Sequence, residues 1–349
     1  MKPTLSIIMP VFNRPSELKV MVDSIIANSY SDWELLAVDD GSDDTTLSIL
    51  NAYAEQDERI RIITRTRLPK GAQTCRNIGF AQSRGKYVIF ADSDDFMASY
   101  CLESRVREIE NHPELDFMVF PSGVYSDGIS LQPHLYMYGY PVYKDTIAAF
   151  SRRTLPFIVW NNIYRADALR AKDLVWDEHL LSMQDSDFNL MTLLAGLRFD
   201  YARNVAPDYA YRLPVQSHQS NSISGQMFQS EAYRESQLYL IEKFYRSIQA
   251  QYGHLYDNQL YDGILTFHVR ISSTESDTRF LNQVGVIIKR YSPCCWRIFK
   301  VQMCLYKFFA YFLPHHMARN IPITTYLIRR KYWDNFKCRI IANSITSNQ

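Results

Sequence analysis

The feature that most constrains this chain is an alternation in its first 121 residues, where short β-branched runs are separated by longer stretches of helical periodicity. Leu5–Val11, Glu34–Val38, Ile60–Thr64, Tyr87–Ala91 and Asp116–Phe120 read as strands, with helix patterns at about 15–29, 43–56, 70–83 and 98–111 between them. Strands joined through helices of that length form βαβ units and a parallel sheet. Near-continuous apolar runs such as Tyr87–Ala91 suit strands covered on both faces. The expected fold is therefore α/β, a mostly parallel sheet with helices on both sides.

The 349 residues are enough for one large or two modest domains. With 47% hydrophobic and 21% charged residues, the composition excludes a disordered chain. The stretch 122–150 is interrupted by Gly123, Gly128, Pro133, Gly139 and Pro141 and reads as loop, and from about 228 onward the pattern is helical and aromatic. The six cysteines show no metal-ligand spacing. Pro10 cuts the apolar N-terminal stretch, which makes a poor signal peptide, so reduced cytosolic thiols are expected. No run of 18 uncharged apolar residues predicts a membrane-crossing helix.

Ligands of open parallel sheets bind beyond the carboxyl ends of the strands. Here those ends are polar: Pro10-Val11-Phe12-Asn13, Asp39-Asp40-Gly41-Ser42 and Asp92-Ser93-Asp94-Asp95. Asp-Gly-Ser after a strand also serves as a plain turn with Asp or Ser capping the next helix. Asp92–Asp95 has the same bland reading. Two acidic clusters at equivalent places in one sheet point further. Carboxylates converging on one edge repel unless a hard cation or hydrogen-bond donors neutralise them.

These segments, with Cys75-Arg76-Asn77-Ile78-Gly79, Gly85–Asp95, Trp160–Arg165, Gln184–Phe188 and Tyr211-Arg212 before a Ser-rich stretch, resemble in order and spacing the family 2 glycosyltransferases of the GT-A fold. The resemblance runs over roughly residues 4–223. It implies a catalytic domain over 1–225, with the nucleotide-sugar side in 1–121 and the acceptor side in 122–225, followed by a helical region over 226–349. It implies that Asp39 pairs with the donor's base beside Pro10, Phe12 and Asn13, and that Arg76 lies near the nucleotide, with Asp40, Asp92 and Ser93 also in the donor site. Asp94 would ligate a divalent ion, Mn²⁺ or Mg²⁺, together with Asp92. Asp185 matches the catalytic base, and Gln184 stands where the family has Glu. The implied reaction is inverting transfer of a sugar from a nucleotide donor, UDP-linked, to a glycan or lipid-linked acceptor.

Alternatives stay open at this point. Asp187, two residues on, is a second candidate base, and a first-turn helix acid is the plain reading of either. Trp160 is an acceptor platform or a buried aromatic, and His218 is a phosphate contact or a solvated loop residue. An inactive sugar-nucleotide-binding protein is the rival function. A haloacid-dehalogenase-type phosphatase also places Asp-x-Asp after a strand, but it wants Thr or Val where Phe96 stands.

Charge divides unevenly. Residues 289–339 carry eleven Lys and Arg against one acid, Asp334. On a helix over 294–313, Arg297, Lys300 and Lys307 fall in a sector of about 80°, beside a wide aromatic face. That pattern suits a helix lying in a membrane interface, with a helix packed on the catalytic domain as the alternative. The expected location is cytoplasmic, at the inner face of the cell membrane. No nucleic-acid motif accompanies the charge.

Overall fold

The computed structural model describes residues 2–125, 138–141, 143–212, 230–269, 277–314 and 317–318. The expected βα alternation is present. Strands β1 (Leu5–Val11), β2 (Trp33–Asp39), β3 (Ile60–Thr64) and β4 (Tyr87–Phe90) alternate with helices α1 (Pro15–Ile26), α2 (Asp44–Gln56) and α3 (Ala72–Gln82). All four strands run parallel. Short β5 (Phe96–Met97) and α4 (Cys101–Asn111) follow, then β6 (Phe117–Val119).

The 122–150 region is not all loop, for it holds β7 (Ser122–Tyr125) and the start of α5 (Thr146–Ser151). Then come β8 (Asn162–Arg165), α6 (Ala166–Ala171), α7 (Gln184–Leu194), β9 (Phe199–Tyr201) and β10 (Tyr209–Arg212). The main sheet has the order β3-β2-β1-β4-β8-β6-β9, and β8 is antiparallel to both its neighbours. A second sheet has the order β5-β10-β7.

Alternate residues of the central strands feed two cores. Ile8, Leu36, Val88 and Phe90 join one cluster, while Ile7, Met9, Leu35, Ala37 and Ile89 join the other. Burial on both faces explains why these strands read as unbroken apolar runs. Helix α3 lies close on the sheet because Gly79 has no side chain; a Cβ there would sit 2.5 Å from Ile8 Cγ2.

Residues 213–229, with His218, lie outside the described residues; beyond them the chain continues as α8 (Glu231–Tyr252), α9 (Asp257–Gly263), α10 (Asp277–Tyr291) and α11 (Pro293–Ala310). Leu240, Phe244 and Ile248 of α8, Val284 of α10 and Phe299 of α11 share one cluster with Phe90 and Phe188. The C-terminal helices are thus packed on the sheet's core.

Helix α11 uses one side for this packing. Cys295, Phe299 and Gln302 are buried, and Tyr261 hydrogen-bonds Gln302. Its other side stays open: Val301, Leu305 and Phe308 are exposed, as are Tyr311 and Phe312 just beyond, with Arg297, Lys300 and Lys307 on the same arc. No helix among the described residues is long and apolar enough to cross a membrane. Cys75 and Cys101 are buried thiols, whereas Cys294 and Cys304 on α11 are exposed; all four are free. The basic residues from Arg319 onward lie outside the described residues.

Candidate active site

The carboxyl ends of β1, β2 and β4 come together as the sheet register requires, with Val11 beside Asp39 and Ile8 beside Phe90. At the β2 end, Asp39 is buried and accepts the N–H groups of Gly41 (3.0 Å) and Ser42 (3.1 Å). This is a turn closed by its own carboxylate, with Gly41 at φ 86° where a side chain would be strained. Asp43 caps α2 through the Thr46 N–H, at 2.8 Å. Asp40 is buried and engaged by Arg65 Nε and by the Gly71 N–H, so it braces the loop after β3.

At the β1 end, Asn13 and Arg14 both adopt left-handed backbone, at φ 51° and 75°. The Asn13 N–H donates to Ser42 Oγ at 3.1 Å and its Oδ1 accepts the Asp43 N–H at 2.9 Å, tying the two strand ends together. Phe12 is exposed, with the Lys70 ammonium 3.4 Å above its ring centroid. Pro10 is half-buried.

The β4 end carries the charge. Arg76, buried on α3, donates to Asp92 Oδ1 at 2.5 Å and to Gln184 Oε1 at 3.2 Å, and its guanidinium lies 4.4 Å from the Trp176 ring centroid. Asp94 pairs with Arg14. Burial raises the Asp94 carboxyl, Arg14 opposes this, and the Asp92 charge adds to it. Asp95 is fully buried and pushed well up by burial and by the charges of Asp94 and Asp92, although its Oδ1 accepts the Arg212 N–H at 3.0 Å. Ser93 is buried between them. Beneath the cluster, Tyr209 Oη accepts the Asp92 N–H at 3.1 Å.

Tyr209 is stacked on Trp160 with centroids 4.8 Å apart. Trp160 is 1% exposed, so the buried-aromatic reading holds and the acceptor-platform reading does not: its faces are taken by other rings. Behind it, Arg105 and Asp208 form a buried bidentate pair (2.6 and 2.7 Å), and Arg105 also donates to the Trp160 carbonyl at 2.8 Å.

The first turn of α7 completes the site. Asp185 lies within electrostatic reach of Arg76 and Asp92, and its Oδ1 is buried without a hydrogen-bond partner. Burial pushes its carboxyl up to about 6, against the pull of Arg76 and with the Asp92 charge adding to the rise. Asp187 goes elsewhere. Its Oδ2 is 2.7 Å from Lys243 Nζ on α8, and burial likewise raises it to about 6. Gln184 spans Arg76, Gln73 Oε1 (2.7 Å) and the Leu180 carbonyl (3.0 Å), a neutral brace.

Among the described residues no three His, Cys, Asp or Glu side chains are grouped to hold a metal. Asp92 and Asp94 instead offer two carboxylates on one strand end. Such a pair suits a hard divalent ion that takes its remaining oxygens from substrate phosphates and water. Four carboxylates (Asp92, Asp94, Asp95, Asp185) facing two guanidiniums (Arg14, Arg76) leave the negative surplus that would favour it.

Sequence reasoning missed Arg14, Lys70, Trp176 and Tyr209. Arg14 directly follows Pro10-Val11-Phe12-Asn13, and its position next to Asn13 is a usable signal. The other three reach the site only through tertiary packing.

A sheet of this order, with acids at the β4 end and a second small sheet, is the architecture of GT-A nucleotide-sugar domains. The crystal structure of S. aureus TarS residues 1–349 with UDP-GlcNAc superposes with a TM-score of 0.66 at 19% identity, over 96% of this chain and 92% of that one. Residues 6–171 match Glycosyl transferase family 2, and over that span the chain is similar to that family. Among curated relatives, the uncharacterized glycosyltransferase EpsJ of Bacillus subtilis (strain 168) is 28% identical over 197 residues, covering 54% of this chain. The poly(ribitol-phosphate) beta-glucosyltransferase of Bacillus spizizenii is 35% identical over 213 residues, covering 59% of this chain. The chain spans about half or less of the length of such relatives, 56% for the first and 31% for the second.

Proposed function

We propose that the protein is an inverting glycosyltransferase that moves a sugar from a UDP-linked donor to a hydroxyl of a cell-surface glycan or lipid-linked acceptor. The observation that carries this reading is Asp185: a carboxylate with a buried, unpartnered oxygen, at a helix start facing the Arg76–Asp92 pair. A sugar hydroxyl is a weak nucleophile until a base accepts its proton in the transition state. Asp185 Oδ1 accepts that proton as the hydroxyl attacks the anomeric carbon from the face opposite the nucleotide. Asp39, Pro10, Phe12 and Asn13 border the nucleoside, and Arg76 holds Asp92 oriented beside the diphosphate. Asp94 and Asp92 would hold Mn²⁺ or Mg²⁺, which offsets the charge developing on the departing diphosphate. The fold shared with TarS, itself crystallised with UDP-GlcNAc, supports the choice of donor.

The membrane is the proposed second partner, at the inner face of the cell membrane. Support comes from the open arc of α11, where Phe308 and Phe312 are 62% and 67% exposed beside Arg297, Lys300 and Lys307. A rim of cations on an unpacked aromatic face suits an anionic interface, at about 1 kcal/mol per cation near the surface.

A thermal-shift series over nucleotide sugars with and without Mn²⁺, followed by transfer and hydrolysis assays, tests the reading. The matching donor raises Tm and is turned over. Tight binding with no turnover of any donor would leave a non-catalytic sugar-nucleotide binder instead. Flotation with anionic vesicles at low salt tests the membrane: protein that stays at the bottom of the gradient sinks that part alone.

A further inference from the structure

The segment from Asp177 to Asp187 leads into the first turn of α7, which carries Asp185. Its local hydrogen bonds include Asp177 accepting the His179 N–H at 3.0 Å and the Leu180 N–H at 3.2 Å, and Gln184 donating to the Leu180 carbonyl at 3.0 Å. Helix α7 has no side-chain cap, and the residue before it, Met183, sits in the left-handed region at φ 57°. A bulky residue there is strained and persists only when its surroundings over-determine it.

Contacts from two directions hold the segment. On one side Asn77 grips the Trp176 backbone through both its N–H (2.8 Å) and its carbonyl (2.9 Å), and Arg67 pairs with Glu178. On the other side every anchor comes from α8. Ser236 Oγ accepts the Leu181 N–H at 3.0 Å, and Gln237 donates to Ser182 Oγ at 2.5 Å. Tyr239 donates to Asp177 at 2.8 Å, and Lys243 Nζ bridges Asp177 and Asp187, at 2.7 Å from each. Residues two apart on a helix diverge by about 200°, so fixing Asp187 against α8 fixes the direction of Asp185.

We propose that α8 is the clamp that aims the base, with Lys243 as its positioning residue: by drawing Asp187 inward across the Asp177–Asp187 segment, it turns Asp185 toward Arg76 and Asp92. This rests on the reading of Asp185 as the base. It makes the C-terminal helices part of the catalytic apparatus, although they carry none of its reacting groups.

Lys243→Met should lower kcat for UDP release from UDP-GlcNAc by about 10- to 100-fold, the span of a catalytic group displaced by about an ångström. The affinity for UDP, measured calorimetrically, should change less than about threefold, and Lys243→Arg should recover most of the loss. Because Lys243→Met strands the buried Asp187 carboxylate and can unfold the protein, the Ser236→Ala/Gln237→Ala pair provides a second route with no charge removed. It should lower kcat in the same direction, again sparing UDP affinity. Loss of kcat and UDP affinity together, in step with Tm, would make the contacts merely structural and overturn the proposal. So would wild-type kcat in both Lys243→Met and the double variant alongside an inactive Asp185→Asn. Full turnover by Asp185→Asn would instead overturn the base assignment beneath it.

Discussion

Two groups of charge, each partly buried, lie on either side of α7, and they are built differently. On the β4 side, Asp92, Asp94, Asp95 and Asp185 face Arg14 and Arg76; the guanidinium of Arg212, close by, is engaged by Glu17 at 2.9 Å. On the α8 side, Asp177 and Asp187 face Lys243 and Arg153, whose guanidinium is buried 3.9 Å from the Phe244 ring centroid. The second group balances, two against two. The first does not. Burying an uncompensated charge is expensive, so a surplus is maintained where a ligand is to bring the missing charge, and parity where the charges only join elements. Asp185 and Asp187, two residues apart, fall on opposite sides of that division.

The comparison can be broken most sharply at those two residues. Asp185→Asn should lower turnover by about 10²–10⁴-fold with donor binding nearly intact. Asp187→Asn should cost less turnover, no more than the roughly 10- to 100-fold expected of Lys243→Met, and should also lower Tm. A reversed order in steady-state kinetics would put the base on the balanced side and undo the distinction.

A second test extends parity to Arg105 and Asp208, another closed pair. Arg105→Met should destabilise by about 3–5 kcal/mol because it leaves a buried carboxylate alone; urea denaturation measures it. A loss below about 1 kcal/mol would mean that water reaches Asp208 and that the pair is not sealed.

The surplus side predicts the opposite behaviour on removing a carboxylate. Asp94→Asn should abolish the Mn²⁺-dependent rise in Tm with donor, worth about 2.7 kcal/mol at a hundredfold excess over Kd. The apo protein should hold its stability or gain slightly, as repulsion is relieved. An unchanged Mn²⁺ response in a thermal-shift assay would remove Asp94 from the ion site.

Acid supplies a smaller effect whose sign is fixed. Asp185 must be ionised to take a proton, and burial holds its carboxyl at about 6, so kcat should fall as pH drops through 6. Stability linked to the same group runs the other way. Its folded value lies above the unfolded carboxylate range, so protonation between about pH 6 and 4 favours the folded state. A pH profile flat down to 5 would show that the bound ligands have removed the surplus. The smallest expected effect is that of salt on vesicle binding: about 0.5–1 M should weaken it partly, leaving the aromatic contribution.

Much of the first group was legible in the sequence because it sits at strand ends. The strand runs gave Leu5–Val11 and Ile60–Thr64 to the residue, and the polar tetrapeptides following β1, β2 and β4 do converge. The second group was not legible. Lys243 is one cation in a helix of mixed polarity, and its partners lie 56 and 66 residues away. The antiparallel insertion of β8 was equally hidden, since Asn162–Arg165 is too short to declare its direction. Asp39 was read as a base contact and as a turn. The turn is what its hydrogen bonds display, and the contact remains part of the proposed donor site.

The cysteines of this chain sort themselves for chemistry. Burial pushes Cys75 up to about 12, with almost no thiolate at neutral pH, and Cys101 is fully enclosed and raised well above the usual thiol range. Cys294 and Cys304 stand open on α11, along the arc that bears Phe308 and Lys300. An environment-sensitive maleimide would therefore mark that arc while sparing these two core thiols. The protein carries its own reporter positions, on the helix whose surroundings most need to be observed.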